Sequence, residues 1–205
     1  MIIGNFKWEI TIQFYMVEIH PDHVVSENDI KPEADLSGVK LNNADLSDAE
    51  LSDSNLNNAE IKRVKFVDAN LVNADFIGAE AGSNTTFELA QLGGAHLSEA
   101  KLTGTSFVSV EARNAFFTEA NLHGADLSGD FNNSDFRHAD LEGSNLRGAE
   151  LTKCDLTGAD LTDADIRGAD FSFANMSSAT MNDKPVTLEK LEKLGAITSR
   201  TRKPE

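Results

Sequence analysis

The sequence predicts an all-β solenoid: a chain wound into square coils of parallel strands, followed by a short C-terminal α-helix. Three observations predict it. A large apolar residue recurs at every fifth position, a small residue stands two places before each, and the other three places are mostly polar. The large series runs Leu36, Leu41, Leu46, Leu51, Leu56, Ile61, Phe66, Leu71 and Phe76, and resumes as Phe87, Leu92, Leu97, Leu102 and Phe107. It continues through Phe117, Leu122 and Leu127, then from Phe131 and Phe136 by fives to Phe171, Met176 and Met181. The small companions include Ala34, Val39, Ala44, Ala49, Ser54 and Ala59.

A period of five suits neither a helix face, which needs spacings of three and four, nor a strand face, which needs two. A chain that turns about 90° every five residues points every large residue to one axis, and four such edges close a coil. The small residue also points inward and fills the gaps, where a long side chain would overfill a close-packed interior. Coils stack at about 4.8 Å, so seven to eight of them make a rod of roughly 36 Å. Asp, Asn, Ser and Gly in the outward places suit tight corners.

The phase slips twice. Ala81 stands where a large residue is due, and the next one comes at Phe87, so 81–86 holds one extra residue or a six-residue loop. Between Leu127 and Phe131 one residue is missing, around Ser128-Gly129-Asp130. Glycine beside polar residues suits a bulge or loop at both breaks. A third weak stretch, 108–116, has Ala112 in a large position.

Segments such as Ala44-Asp45-Leu46-Ser47-Asp48, Ala125-Asp126-Leu127-Ser128-Gly129 and Ala159-Asp160-Leu161-Thr162-Asp163 resemble the pentapeptide-repeat proteins, with their A-(D/N)-L-x-x form. The resemblance implies a right-handed quadrilateral parallel β-helix over residues 34–181. It also implies that projecting loops, for which 81–86 and 108–116 are the candidates, touch the partner in the quinolone-resistance branch. Fold alone does not fix function.

Residues 1–33 lack the repeat. Phe6, Trp8, Ile10, Ile12 and Phe14 alternate with polar residues, a strand pattern with one apolar face. Such a strand could cover the first coil, whose edge is otherwise unpaired, or pair with another chain; Met16 is an alternative start. Residues 182–205 begin with a break marked by Pro185, and Thr187 to Leu194 reads as a helix with Gly195 as its stop. Eight residues are too few for an isolated helix, so this one must dock. Leu188, Leu191, Leu194 and Ile197 resemble the terminal segment through which gyrase-protecting members of the family dimerise. That makes a homodimer the expectation and a monomeric cap the alternative.

Composition bounds the partners. The chain has 205 residues, a formal net charge of −16 and a pI near 4.6. Nucleic acid and anionic membrane are poor partners for such a surface, because both are negative. No apolar run approaches the roughly 20 residues of a membrane-spanning helix. With no basic start followed by an apolar stretch, a cytoplasmic location is expected. Cys154, the single cysteine, excludes an internal disulfide framework, and its place before Leu156 makes it core filler.

The acid gathers in the C-terminal third of the repeat. Asp130, Asp135, Asp140, Glu150, Asp155, Asp160, Asp165 and Asp170 each precede a large residue. A 20-residue coil stacks Asp130, Glu150 and Asp170 on one face, Asp135 and Asp155 on the next, then Asp140 and Asp160. Like charges about 4.8 Å apart repel by ~1 kcal/mol even in water; Arg137, Arg147 and Arg167 relieve part of this. Such columns either mimic duplex DNA for a basic protein groove, or are a solvated surface whose Asp and Asn suit the turns. The family's topoisomerase-protecting members make DNA gyrase or topoisomerase IV the sharpest partner under the first reading. The other reading is a structural or assembly protein with no topoisomerase role.

No catalytic constellation, cofactor motif or metal site stands out. His20-Pro21-Asp22-His23 has faint ligand spacing on a loop, while His96, His123 and His138 take outward places in different repeats. Neither a phosphate-binding glycine loop nor a nucleophile elbow occurs. The expectation is therefore a non-enzymatic binding scaffold.

Overall fold

The computed structural model describes residues 27–182 and 184–198. The predicted strand at Phe6–Phe14, the alternative start at Met16, the His20 and His23 pair and the tail from Arg200 lie outside the described residues. A 3-10 turn, Glu27–Asp29, leads into the first coil.

From Asp35 onward, the residue just before each large apolar one forms a parallel bridge to its equivalent one coil later. Four ladders result, one per face: Asp35 to Asn175, Lys40 to Thr180, Asp45 to Asp165, and Glu50 through Asp170 to Ile197. They are called the first to fourth faces below. Between coils the bonds alternate: Leu46 N–H donates to the Lys65 carbonyl at 2.7 Å, and Lys65 N–H to the Ala44 carbonyl at 3.0 Å. Apart from the irregular edges at 81–86 and 127–130, each corner is a β-turn, as where Ala44 N–H donates to the Leu41 carbonyl at 2.9 Å. Its third residue is left-handed (Asn43 φ +69°, Asp48 φ +59°), which favours Gly, Asn and Asp.

Every large residue of the predicted series is buried except Met176, which is half-buried. The small inward places are filled as expected, and where the filler is polar it finds a carbonyl. Ser54 Oγ donates to Leu51 at 2.6 Å, Thr85 Oγ1 to Ile61 at 2.8 Å, and Cys154 Sγ to Phe131 at 2.9 Å. Along the third face Phe66, Phe87 and Phe107 stack almost parallel, with centroids 4.8 and 5.0 Å apart. Phe76 meets Phe66 and Phe87 edge-on from the first face, at 5.9 and 5.7 Å.

Both slips are absorbed within the wall, so the expectation of projecting loops is corrected. Around 81–86 the bridges step by 21 residues, as in Glu80 to Lys101, and Thr85 and Phe87 resume the inward pair. Ala81 N–H still reaches the next coil, at the Lys101 carbonyl (2.9 Å). Around 128–130 they step by 19, as in Glu111 to Asp130. There Gly129 takes the small inward place of a four-residue edge. A Cβ on it would lie 2.8 Å from Val110 Cγ1 and 3.0 Å from the Phe107 carbonyl oxygen, so the short edge requires glycine. In 108–116, Ala112 is fully buried, and one coil later Phe131 fills the space its small side chain leaves. The Phe131 ring lies 6.5 Å from Phe107 and 5.8 Å from Phe117, which flank Ala112 on either side.

At the C-terminal end the chain reverses in a two-residue hairpin, β1 (Thr180–Met181) against β2 (Lys184–Pro185). Helix α1 spans Leu188–Lys193, one residue shorter at each end than the sequence suggests. Thr187 is extended and caps it, its hydroxyl accepting from Lys190 N–H at 3.2 Å. The fourth ladder then gains a last rung: Ile197 N–H donates to Ala169 at 2.7 Å, and Phe171 N–H to Ile197 at 2.8 Å. Ala196 and Thr198 are buried in the small and large inward places of that rung.

The Ala112–Phe131 pairing gives a test. Ala112→Leu should destabilise the fold by about 1–3 kcal/mol through overpacking. Phe131→Leu in the same chain should recover part of that loss, so a double-mutant cycle in urea shows coupling. Additive effects would mean the two side chains do not share the space.

Candidate partner-binding surface

The acidic columns arise from local turn chemistry. In the last coils each aspartate just before a large residue accepts from the backbone N–H two residues on, whereas at Glu150 that N–H, of Thr152, goes to Asn132 Oδ1 of the previous coil. Asp140 holds Glu142 N–H at 3.0 Å, Asp155 holds Thr157 at 3.0 Å, Asp160 holds Thr162 at 2.9 Å and Asp170 holds Ser172 at 2.8 Å. Asn145 does the same for Arg147 at 3.2 Å, which is why Asp and Asn interchange at this place.

The ladders bring together the predicted sets: Asp130, Glu150 and Asp170 on the fourth face, Asp135 and Asp155 on the first, Asp140 and Asp160 on the second. Asp165 lies on the third, beside Asn145. Cations neutralise these columns unevenly. Arg137 pairs with Asp135, Arg167 with Asp165 and Arg113 with Asp130, all at 2.5 Å. Nearer the N-terminus, Lys40–Glu60, Lys65–Asp45 and the Lys62 and Lys101 pairs to Glu80 do likewise. Among the described residues, Asp140, Glu150, Asp155 and Asp160 have no lysine or arginine ion pair, and past Lys101 the second face has no such pair on any of its carboxylates.

A shallow groove of about 590 Å³ runs along the fourth face, lined by Arg113, Asn132, Glu150, Lys153, Asp170 and Ile197 among others. Its charges are mixed. The four predicted dimerisation residues are split: Leu191 is buried in its own chain, Leu188 is half-buried, and Leu194 and Ile197 are 43% and 37% exposed. Phe173, at the corner that follows Phe171, is more exposed still, at 65%.

His96, His123 and His138 are exposed, as expected. The grouping of His123 with Asp140 and Glu142 is not evident from linear spacing. The short coil places Glu142 19 residues after His123, and the step over Gly129 that reveals it is the only signal in the sequence.

The family model for pentapeptide repeats matches eight copies, over residues 33–66, 90–129, 130–168 and 144–183. More than half of the chain is covered, and the chain belongs to the pentapeptide-repeat family. It is a repeat scaffold with the parallel β-helix described above. No curated protein matches the sequence. Among solved structures, full-length QnrB1, a plasmid-mediated fluoroquinolone resistance protein, is similar at 16% identity over 80% of this chain and 96% of that one, with a TM-score of 0.42. HetL of Nostoc sp. strain PCC 7120, involved in regulating heterocyst differentiation, is 22% identical over 72% and 85%, with a TM-score of 0.26. A pentapeptide repeat protein of the Arabidopsis thaliana thylakoid lumen is 27% identical over 60% and 68%, with a TM-score of 0.23.

Two measurements test the side-chain geometry. Hydrogen bonds from Arg167 hold the Asp165 carboxyl down at about 2. A depressed carboxyl contributes stability above its unfolded value and loses it as pH falls towards the folded one. Arg167→Ala should therefore move Asp165 up towards about 3.9 in an NMR titration. Burial pushes the Cys154 thiol up to about 12. The native protein at pH 8 should resist a thiol reagent that labels it at once in denaturant; equal labelling rates would contradict the buried placement.

Proposed function

We propose that this chain, wound with the right hand its family implies, is a non-enzymatic cytoplasmic scaffold whose acidic faces bind a basic protein surface. The sharpest form of the reading is mimicry of duplex DNA at the DNA-binding groove of a type II topoisomerase, DNA gyrase or topoisomerase IV. One observation carries it: carboxylates on successive rungs of the last coils, with Asp140, Asp155 and Asp160 free of ion pairs to the described lysines and arginines. Duplex DNA presents one charge per roughly 1.7 Å of its axis. A narrow rod with columns of carboxylates at about 4.8 Å offers a sparser field of the same sign. Because both breaks in the repeat stay within the wall, this reading rests on the rod's charge and not on a projecting loop.

A homodimer joined at the C-terminal end belongs to the same proposal. Leu194, Ile197 and Phe173 are the exposed apolar residues of the last coil and its cap. Leu188 and Leu191 support the contact from within the cap.

The purified protein should inhibit gyrase supercoiling or relieve fluoroquinolone-stabilised cleavage at low salt, and the effect should fade above about 0.3 M salt as screening shortens. Reversing Asp135, Asp155 and Asp160 to lysine should weaken it at least tenfold while the fold persists. Absence of binding to either enzyme at low salt would remove the topoisomerase reading. The alternative, an assembly protein without that role, predicts that deleting residues 1–33 abolishes recovery of partners while the three reversals leave it intact.

A further inference from the structure

We propose that His123, Asp140 and Glu142 form a surface site for a divalent transition-metal ion of the zinc class. Each side chain offers one ligand atom, and the three atoms lie within 4.8 Å of one another. His123 Nδ1 is already 3.9 Å from Glu142 Oε2. Ligand atoms around a tetrahedral zinc at about 2.1 Å stand about 3.4 Å apart, so small rotations of exposed side chains close the site. An imidazole with two carboxylates is a donor set for zinc, and not one that magnesium or calcium would choose.

The backbone fixes the relative placement. Asn121 bridges Asp140 on the second face, and Gly124 N–H donates to the Glu142 carbonyl at 2.8 Å, so His123 sits directly over Glu142. The Asp140 carboxylate is held by Glu142 N–H at 3.0 Å, which points the pair to the same side. The His123 and Glu142 side chains are about half exposed, so water can complete the coordination.

The charge around the cluster gives a second, independent reason. Past Lys101 the described part of the second face carries Asp140, Glu142, Asp160 and Asp163, and no lysine or arginine forms an ion pair with any of them. On each of the other three faces an arginine pairs with one carboxylate, Asp130, Asp135 or Asp165. A bound dication would supply the missing positive charge, and it would relieve repulsion between rungs about 4.8 Å apart.

The test uses the full chain, stripped with a chelator and titrated with zinc chloride by calorimetry, with cobalt(II) absorption as a second readout. One site per chain is expected. His123→Ala and Glu142→Gln should each weaken it at least tenfold, and should remove the cobalt ligand-field bands while the thermal melt is retained. Millimolar magnesium should not displace the zinc. The proposal is overturned if zinc does not bind, if magnesium competes equally, or if His123→Ala binds as tightly as the parent. It is equally overturned if binding is lost only on replacing His20 and His23. None of these outcomes depends on topoisomerase binding.

Discussion

The structure depends on one backbone constraint: the amides of each five-residue edge must reach the next coil while two of its side chains point to the axis. Leu46 N–H to Lys65 and Lys65 N–H to Ala44 show both halves of that requirement in one edge. The corner that makes it possible needs a left-handed residue, which costs a β-carbon-bearing side chain roughly 1–2 kcal/mol. Asn, Asp and Gly fill most corners, yet Arg63, His138, Lys153 and Phe173 also accept φ near +60°. The strands leave the corner no alternative once they are hydrogen-bonded above and below. Local propensity is overridden by the ladder.

That constraint also explains how the two slips are tolerated. A solenoid passes any change of phase to every later coil, because each rung is in register only with its neighbours. An added residue near Ala81 and a lost one near Gly129 each alter a single coil, and the twenty-residue step resumes beyond. Packing pays for the change locally. Gly129 lets the shortened edge approach Val110 and Phe107, while Ala112 and Phe131 exchange volume between adjacent coils. At the far end Ala196 and Thr198 repeat the inward pair once more without belonging to a recognisable repeat, since a rung needs only correct inward sizes and a free ladder edge.

Much of this was legible from residue spacing. The inward residues Leu36 to Met181, both slips and the acidic columns follow from counting, because each repeat reports its own orientation. What spacing could not show depended on the end of the ladder or on the third dimension. Leu188 to Ile197 reads as one apolar stripe, but Leu191 turns to its own core while Ile197 becomes a strand rung with its side chain outward. The His123 cluster stayed hidden because its members are adjacent only after the missing residue is counted. The breaks looked like loops because sequence marks an irregularity without saying whether the wall absorbs it.

The outward surface follows different rules from the interior, and here fold chemistry and recognition can be separated. An aspartate before a large residue caps the following turn, as Asp155 does for Thr157, and asparagine serves equally well at Asn145. Acidity at that place is thus partly a property of the turn and by itself says little about partners. The cations carry the discrimination: turn geometry does not demand them, yet Arg113, Arg137 and Arg167 each pair with one carboxylate on three faces, and among the described residues none pairs with Asp140 or Asp160 on the second. An unanswered column stores repulsion that a ligand or partner can release, whereas a paired one must first give up its arginine. Binding that uses this surface should therefore be strongest on the face where the chain has left its own charge uncompensated.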